Sequence, residues 1–205
     1  KYFTHPKLIA LMEFPVLFLG SIPKNTPALY SLMNYAGLNL GTWYPMGGFV
    51  KVIDGMREVA EGLGVKVHTS DPVTKLVTEN NNISSVVTNA NIMDVDAVIG
   101  SADYHHIENS LLDIGLQSYS KDYWDSRSMS PSCLIFYIGV NKKLKNITHH
   151  NLFFHTDIEK HSSQIHTKPE WPTAPLFYVC CPSKTDDTVA PEGSENLFFL
   201  MPIAS

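Results

Sequence analysis

Cysteine, charge and long apolar runs are all scarce in this chain. Three cysteines, Cys133, Cys180 and Cys181, stand among 205 residues. They form no Cys-x-x-Cys pair and adjacent cysteines rarely bond to each other, so reduced thiols of a cytosolic compartment are expected. Charged residues make up 17%, and the formal net charge is −5 with no basic patch, which excludes nucleic acid as a partner. No stretch reaches the roughly 18 apolar residues of a membrane-spanning helix. A Gly-x-Ser-x-Gly elbow and an HExxH helix are both missing, so neither the serine-hydrolase nor the zinc-protease class has support.

Hydrophobic residues are plentiful at 44%, ample for a core. The organising stretch is residues 44–103. It opens with Tyr44-Pro45-Met46-Gly47-Gly48, where a glycine pair ahead of a helix lets a backbone or a flat ligand come close. Over residues 49–63 the apolar side chains Phe49, Val52, Ile53, Met56, Val59, Ala60 and Leu63 share one helical face. That face is expected to pack on a sheet. Short strands are expected over residues 65–69, 73–78, 83–88 and 92–95, with Asn80-Asn81-Asn82 as a turn. The run Ala97-Val98-Ile99 reads as a strand buried on both faces, as in a parallel sheet.

The flanks differ. Before the organising stretch, helices are expected over residues 5–12, with Thr4 as N-cap and Pro6 in the first turn, and over residues 28–36, closed by Gly37. Between them Phe14-Pro15-Val16-Leu17-Phe18-Leu19 is an apolar patch, suited to a core or to dipping into a bilayer. After a helix over residues 104–113 the chain turns to aromatic-rich strands near residues 132–140, 152–154, 176–180 and 196–200. These suggest a mixed or antiparallel sheet distinct from the earlier layer. The whole reads as α/β (α+β). Lys1 is no initiator methionine and the chain stops just after an apolar run, so an internal segment of a longer protein is expected.

Few residues announce chemistry. His105-His106 and His149-His150 are adjacent pairs, whose side chains diverge by about 100° on a helix and point to opposite faces of a strand. No metal is therefore expected. Asp54, Glu58 and Glu61 follow a solvated helix face. Ser101-Ala102-Asp103 closes the expected buried strand, where open α/β sheets place their ligands.

Several of these segments together resemble a family. Tyr44-Pro45-Met46-Gly47-Gly48, Asp71-Pro72-Val73-Thr74-Lys75-Leu76 and Asp96-Ala97-Val98-Ile99-Gly100-Ser101-Ala102-Asp103 are similar to the central part of the bacterial-type phytoene desaturases, within the FAD-dependent amine-oxidase-like superfamily. His5-Pro6-Lys7-Leu8, Ser132-Cys133-Leu134-Ile135, His149-His150-Asn151-Leu152-Phe153-Phe154 and Cys181-Pro182-Ser183-Lys184-Thr185-Asp186 extend the likeness over essentially the whole chain. The resemblance implies part of a Rossmann-like FAD-binding domain (residues 44–112) and a substrate domain in two pieces (residues 1–43 and 113–205). It implies FAD as cofactor, with Val73 meeting the adenine, Ser101 and Ala102 near the cofactor, and Gly47 and Gly48 also cofactor-binding, near the active-site cavity. Tyr44 and Met46 are implied on the substrate side.

The implied reaction removes hydrogen across a carbon–carbon bond of phytoene or a related C40 polyene, the flavin taking a hydride. No acid or base stands out; His68, His105 and His106 are candidates by residue type only. Alternatives are a carotenoid isomerase, a later-step desaturase, or a non-enzymatic polyene- or lipid-binding module. A cytoplasmic protein, peripheral on the inner face of the cytoplasmic membrane, is expected from the lipid-soluble substrate. The Gly-x-Gly-x-x-Gly pyrophosphate loop of such flavoproteins is absent from these 205 residues.

Overall fold

The computed structural model describes residues 3–19, 21–127 and 130–204, without the side chains of Leu17 and Phe18. The expectations resting on Lys1 and Ser205, and on Leu17 and Phe18 of the apolar patch, lie outside the described residues. In chain order the helices are α1 (Pro6–Glu13), α2 (Leu32–Tyr35), α3 (Val50–Gly62), α4 (Tyr104–His106), α5 (Lys121–Asp125) and α6 (Ile158–Ser162). The strands are β1 (Val73–Glu79), β2 (Asn82–Thr88), β3 (Ile92–Asp94), β4 (Ser132–Val140), β5 (His150–Phe153), β6 (Phe177–Cys180) and β7 (Glu195–Ile203). The chain divides into two compact units. One is Lys1–Met56 with Met129–Ser205, and the other is Arg57–Ser128.

The unit built from the middle of the chain holds an antiparallel sheet in the order β1-β2-β3. Asn80 and Asn81 both take positive φ, 51° and 64°, which asparagine tolerates better than most residues and which closes the β1–β2 hairpin. The hairpin sets Leu76 opposite Val86. Those two and Leu111 form the core, with Ile83, Met93, Val98 and Ile107 packed against it. Beyond the hairpin, Asp71 ties the loop after β2, accepting from the Thr88 hydroxyl (3.0 Å) and the Ala90 N–H (3.2 Å).

The other unit carries a wholly antiparallel sheet in the order β4-β7-β6-β5. β4 and β7 run in unbroken register from Ser132 opposite Ile203 to Val140 opposite Glu195. Stacked aromatics bind the sheet face: Phe177 lies 4.5 Å from Phe153 and 5.4 Å from Phe199, ring centre to ring centre. Below them Leu176, Val179, Ile165 and Cys181 are buried. A polar knot is buried at the end of β7. There Glu195 accepts from Ser183 Oγ (2.5 Å) and pairs with Lys184 Nζ (2.6 Å), and Lys184 also donates to the Leu144 carbonyl.

Several expectations need correction. Residues 65–69 and 96–100 form no strand, and Ile99 is 95% exposed. A strand exists only through a neighbour's hydrogen bonds, and no described strand pairs with either segment. The apolar face of α3 is also exposed, Ile53 at 61% and Met56 at 66%. Helix α1 is preceded by His5 rather than Thr4, with no side-chain cap. Residues 28–40 form a run of 3₁₀, α and π turns that passes Gly37 and stops at Gly41, whose φ is +84°. Helix α4 is a single turn that continues as a π turn, Ile107–Leu111.

Candidate functional site

The Tyr44–Gly48 turn is held by one buried carboxylate. Gly47 and Gly48 both take φ near +86°, and the Gly48 N–H closes the turn on the Pro45 carbonyl (2.9 Å). A side chain at Gly47 would meet Lys51 Cγ at 2.9 Å, so glycine is required on both counts. The Gly47 N–H donates to Asp186 Oδ2 at 2.5 Å. Asp186 is fully buried and also accepts from the Thr188 hydroxyl (2.6 Å) and N–H (2.9 Å). The Thr188 hydroxyl first, then the Gly47 N–H, hold its carboxyl below the usual carboxylate range. Burial and the neighbouring Asp186 raise the pKa of the Tyr44 phenol. Asp186 was not singled out from the sequence. Its local role, capping the short 3₁₀ turn Asp187–Val189, is one aspartate commonly takes, but its contact with Gly47 has no local signal.

Next to this turn stands a cluster the sequence argued against. The Tyr44 ring packs edge-on against His149 at 4.8 Å, and the His149 and His150 rings lie 4.4 Å apart. Alternation across a strand does not separate them, because His149 sits in the bend ahead of β5 and only His150 belongs to the strand. Each imidazole is aimed by a hydroxyl: His149 Nδ1 meets Thr185 Oγ1 at 2.7 Å, and His150 Nδ1 meets the Tyr178 phenol at 2.6 Å. Burial lowers both histidine pKa values, His150 adding to the effect on His149. Burial, then Cys180, raises that of Tyr178.

His150 and Tyr178 also form part of the wall of an apolar groove of about 560 Å³. Leu11, Phe14, Met33, Leu38 and Leu152 supply most of the rest. Phe14, the first residue of the sequence's apolar patch, packs edge-on against Phe154 at 5.5 Å. Neither Tyr44 nor Met46 lines this groove: Tyr44 is turned onto His149, and Met46 is 61% exposed.

The middle unit has its own cavity, about 340 Å³, and it brings Val73, Ser101 and Ala102 together. Val73 opens the edge strand β1, so one side of its backbone faces no strand of the sheet. Leu76, Val98 and Ile107 line the cavity as well. Gly100 lets Ile107 lie against the backbone, since a Cβ there would be 2.6 Å from Ile107 Cδ1. Asp103 caps α4, accepting from the His106 N–H at 2.9 Å. His105 packs on Trp124 at 5.0 Å, and His68 lies in the exposed segment before β1.

Residues 1–203 match the model of the flavin-containing amine oxidoreductase family. The chain belongs to that family. Relatives include a carotenoid 3,4-desaturase of Haloarcula japonica, 41% identical over 99% of this chain and 41% of that protein. A zeta-carotene-forming phytoene desaturase of Myxococcus xanthus is 28% identical over 99% of this chain and 39% of that protein. A phytoene desaturase of Neurospora crassa is 28% identical over 99% of the chain and 36% of its own length. The chain thus spans about two-fifths of each. Family membership makes FAD the cofactor. The Val73 cavity is lined mostly by apolar side chains and lies beside the edge strand β1. In this flavin-containing family, helices and two antiparallel sheets make up an α+β chain.

Proposed function

We propose that the protein is an FAD-dependent carotenoid desaturase. The observation that carries this reading is the 560 Å³ apolar groove in a flavin-family chain whose relatives are named for carotenoid desaturation. A polyene offers no polar handle, so its recognition must come from apolar area and shape, which the groove supplies. One carbon–carbon bond of the polyene loses a hydride from one carbon and a proton, taken by a base or water, from its neighbour, and the electron pair left behind becomes the new double bond. Flavin supplies the hydride acceptor. The protein's residues hold the polyene, exclude water and aim it.

The unit Arg57–Ser128 is assigned to the flavin part, with Val73, Ser101 and Ala102 toward the cofactor. The other unit is assigned to the substrate, with Gly47, Gly48, Tyr44 and Met46 in the turn that Asp186 fixes. Identity of 41% to a 3,4-desaturase, against 28% to two phytoene desaturases, favours a carotenoid already partly conjugated over phytoene. A substrate dissolved in lipid also favours a cytoplasmic protein in peripheral contact with the inner face of the cytoplasmic membrane. No described helix is long and apolar enough to cross a bilayer.

The test is reconstitution of the full-length protein with FAD in liposomes holding either phytoene or a more conjugated C40 carotenoid. Products absorbing at longer wavelength, formed faster from the second, are expected. Unchanged spectra from both, with flavin bound, would overturn the desaturase reading. Flotation with the same liposomes tests membrane contact, which protein left wholly at the bottom of the gradient would refute.

A further inference from the structure

The polyene reading leaves one constellation without a task. One ring nitrogen each of His149 and His150 and the sulfur of Cys180 lie within 4.8 Å of one another. Local structure brings them together in two ways. His150 and Cys180 are directly opposite each other on the antiparallel ladder of β5 and β6, so their side chains share a face. His149 stands just before β5, where its carbonyl accepts the Cys181 N–H at 2.8 Å and pins the bend.

The surroundings match those of a metal-binding group. Histidines that hold metals almost always have their other ring nitrogen hydrogen-bonded, which fixes tautomer and orientation. Thr185 stands at His149 Nδ1 here, 2.7 Å away, and the Tyr178 phenol, which also hydrogen-bonds Cys180, stands at His150 Nδ1, 2.6 Å away. Tyr44 packs edge-on against His149 and restricts its ring. Cys180 is in no disulfide. Two imidazoles and one thiol suit borderline or soft cations such as Zn²⁺, and the group has no carboxylate of the kind Mg²⁺ or Ca²⁺ needs.

We propose that His149, His150 and Cys180 form a binding site for one Zn²⁺-like cation. Three protein donors leave a fourth tetrahedral position open. With bonds of about 2.0–2.3 Å, tetrahedral donors stand about 3.4–3.6 Å apart, so the widest pair, within 4.8 Å, closes by at most about an ångström on binding. The cation joins the start of β5 to the end of β6, beside the wall of the apolar groove to which His150 belongs. The proposal does not depend on the polyene reading.

The test uses the full-length holoprotein, reduced and stripped of metal with a chelator, and Co²⁺ as the spectroscopic stand-in for Zn²⁺. One Co²⁺ per chain is expected, with a near-ultraviolet thiolate-to-cobalt charge-transfer band that Zn²⁺ abolishes by displacement. Cys180→Ser is expected to lose the band, and His149→Gln to weaken Zn²⁺ binding at least about tenfold. Thr185→Val, which removes the hydroxyl at His149 Nδ1, is expected to weaken it about 10- to 100-fold. A band and affinity unchanged in Cys180→Ser would overturn the site, as would the absence of any band in the wild type. A second measurement needs no variant: saturating Zn²⁺ should slow alkylation of Cys180 at least about tenfold while the exposed Cys133 reacts as before. Equal Cys180 rates with and without Zn²⁺ would also overturn it.

Discussion

Gly47 and Asp186 are 139 positions apart in sequence and joined by a single hydrogen bond, and the turn between Tyr44 and Gly48 depends on both. Gly47→Ala puts a side chain on a left-handed backbone and against Lys51, at a cost of about 1–2 kcal/mol, read as a lower midpoint in denaturant. Asp186→Asn keeps the shape but loses acceptor capacity at a buried position, so a lower Tm is expected with the turn loosened. Glu195 carries a pH signature. Burial alone would raise its pKa, but hydrogen bonds from Lys184 and Ser183 outweigh that and hold it at about 2, against 4.5 for the free group. A carboxylate depressed in the fold contributes its stability above the unfolded pKa and loses it as pH falls through the folded one. The Tm gap between wild type and Glu195→Gln should therefore be widest above pH 4.5 and should close toward pH 2. A gap that stays constant across that window would refute the assignment. Glycine at 47 is legible in the sequence because a glycine pair before a helix announces unusual backbone. Asp186 is not, because its partner is set by the tertiary fold.

At the scale of elements, alternation and turn chemistry made most strands readable. Asn80-Asn81 marks the β1–β2 turn, β4 lies where its apolar run is, and β7 extends beyond its run only because Ser132 to Val140 give it nine partners. Cross-strand pairing concentrates the middle unit's core on Leu76 and Val86. Leu76→Ala should cost about 2–5 kcal/mol in denaturant unfolding, since Leu76 is 4% exposed and the cavity cannot collapse without moving Val86. The segments 65–69 and 96–100 have strand-like sequences and no strand. Apolar alternation gives a segment its propensity, but ladder hydrogen bonds come from a neighbour, which no described residue provides. Helix α3 shows the same limit. Its period is plain in the sequence, while what its apolar face meets is not a property of the helix.

At the scale of the whole molecule, the Val73 cavity belongs to one unit and the apolar groove to the other, and the proposed function gives each a different task. Variants should separate likewise. Leu38→Asp places a charge in the groove at a residue already 76% exposed, so folding should survive. Its kcat/KM for the carotenoid should fall at least about tenfold, because the polyene then has to desolvate a carboxylate, while flavin content stays at the wild-type level. Ser101→Trp should fill the other cavity and release flavin instead. Loss of flavin in Leu38→Asp would contradict the division.

By itself the sequence determined the local order of this protein: its helices and hairpins, the glycine turn, and a family likeness strong enough to imply flavin and polyene. These follow from backbone preference and side-chain period, which act over a few residues. Only the tertiary structure decided which distant groups meet. It set Asp186 under Gly47, turned His149 onto His150 beside Cys180, and gathered Val73 with Ser101 and Ala102. Such meetings depend on strand register and on bends such as the one before β5, and a one-residue change there reverses the face a side chain takes.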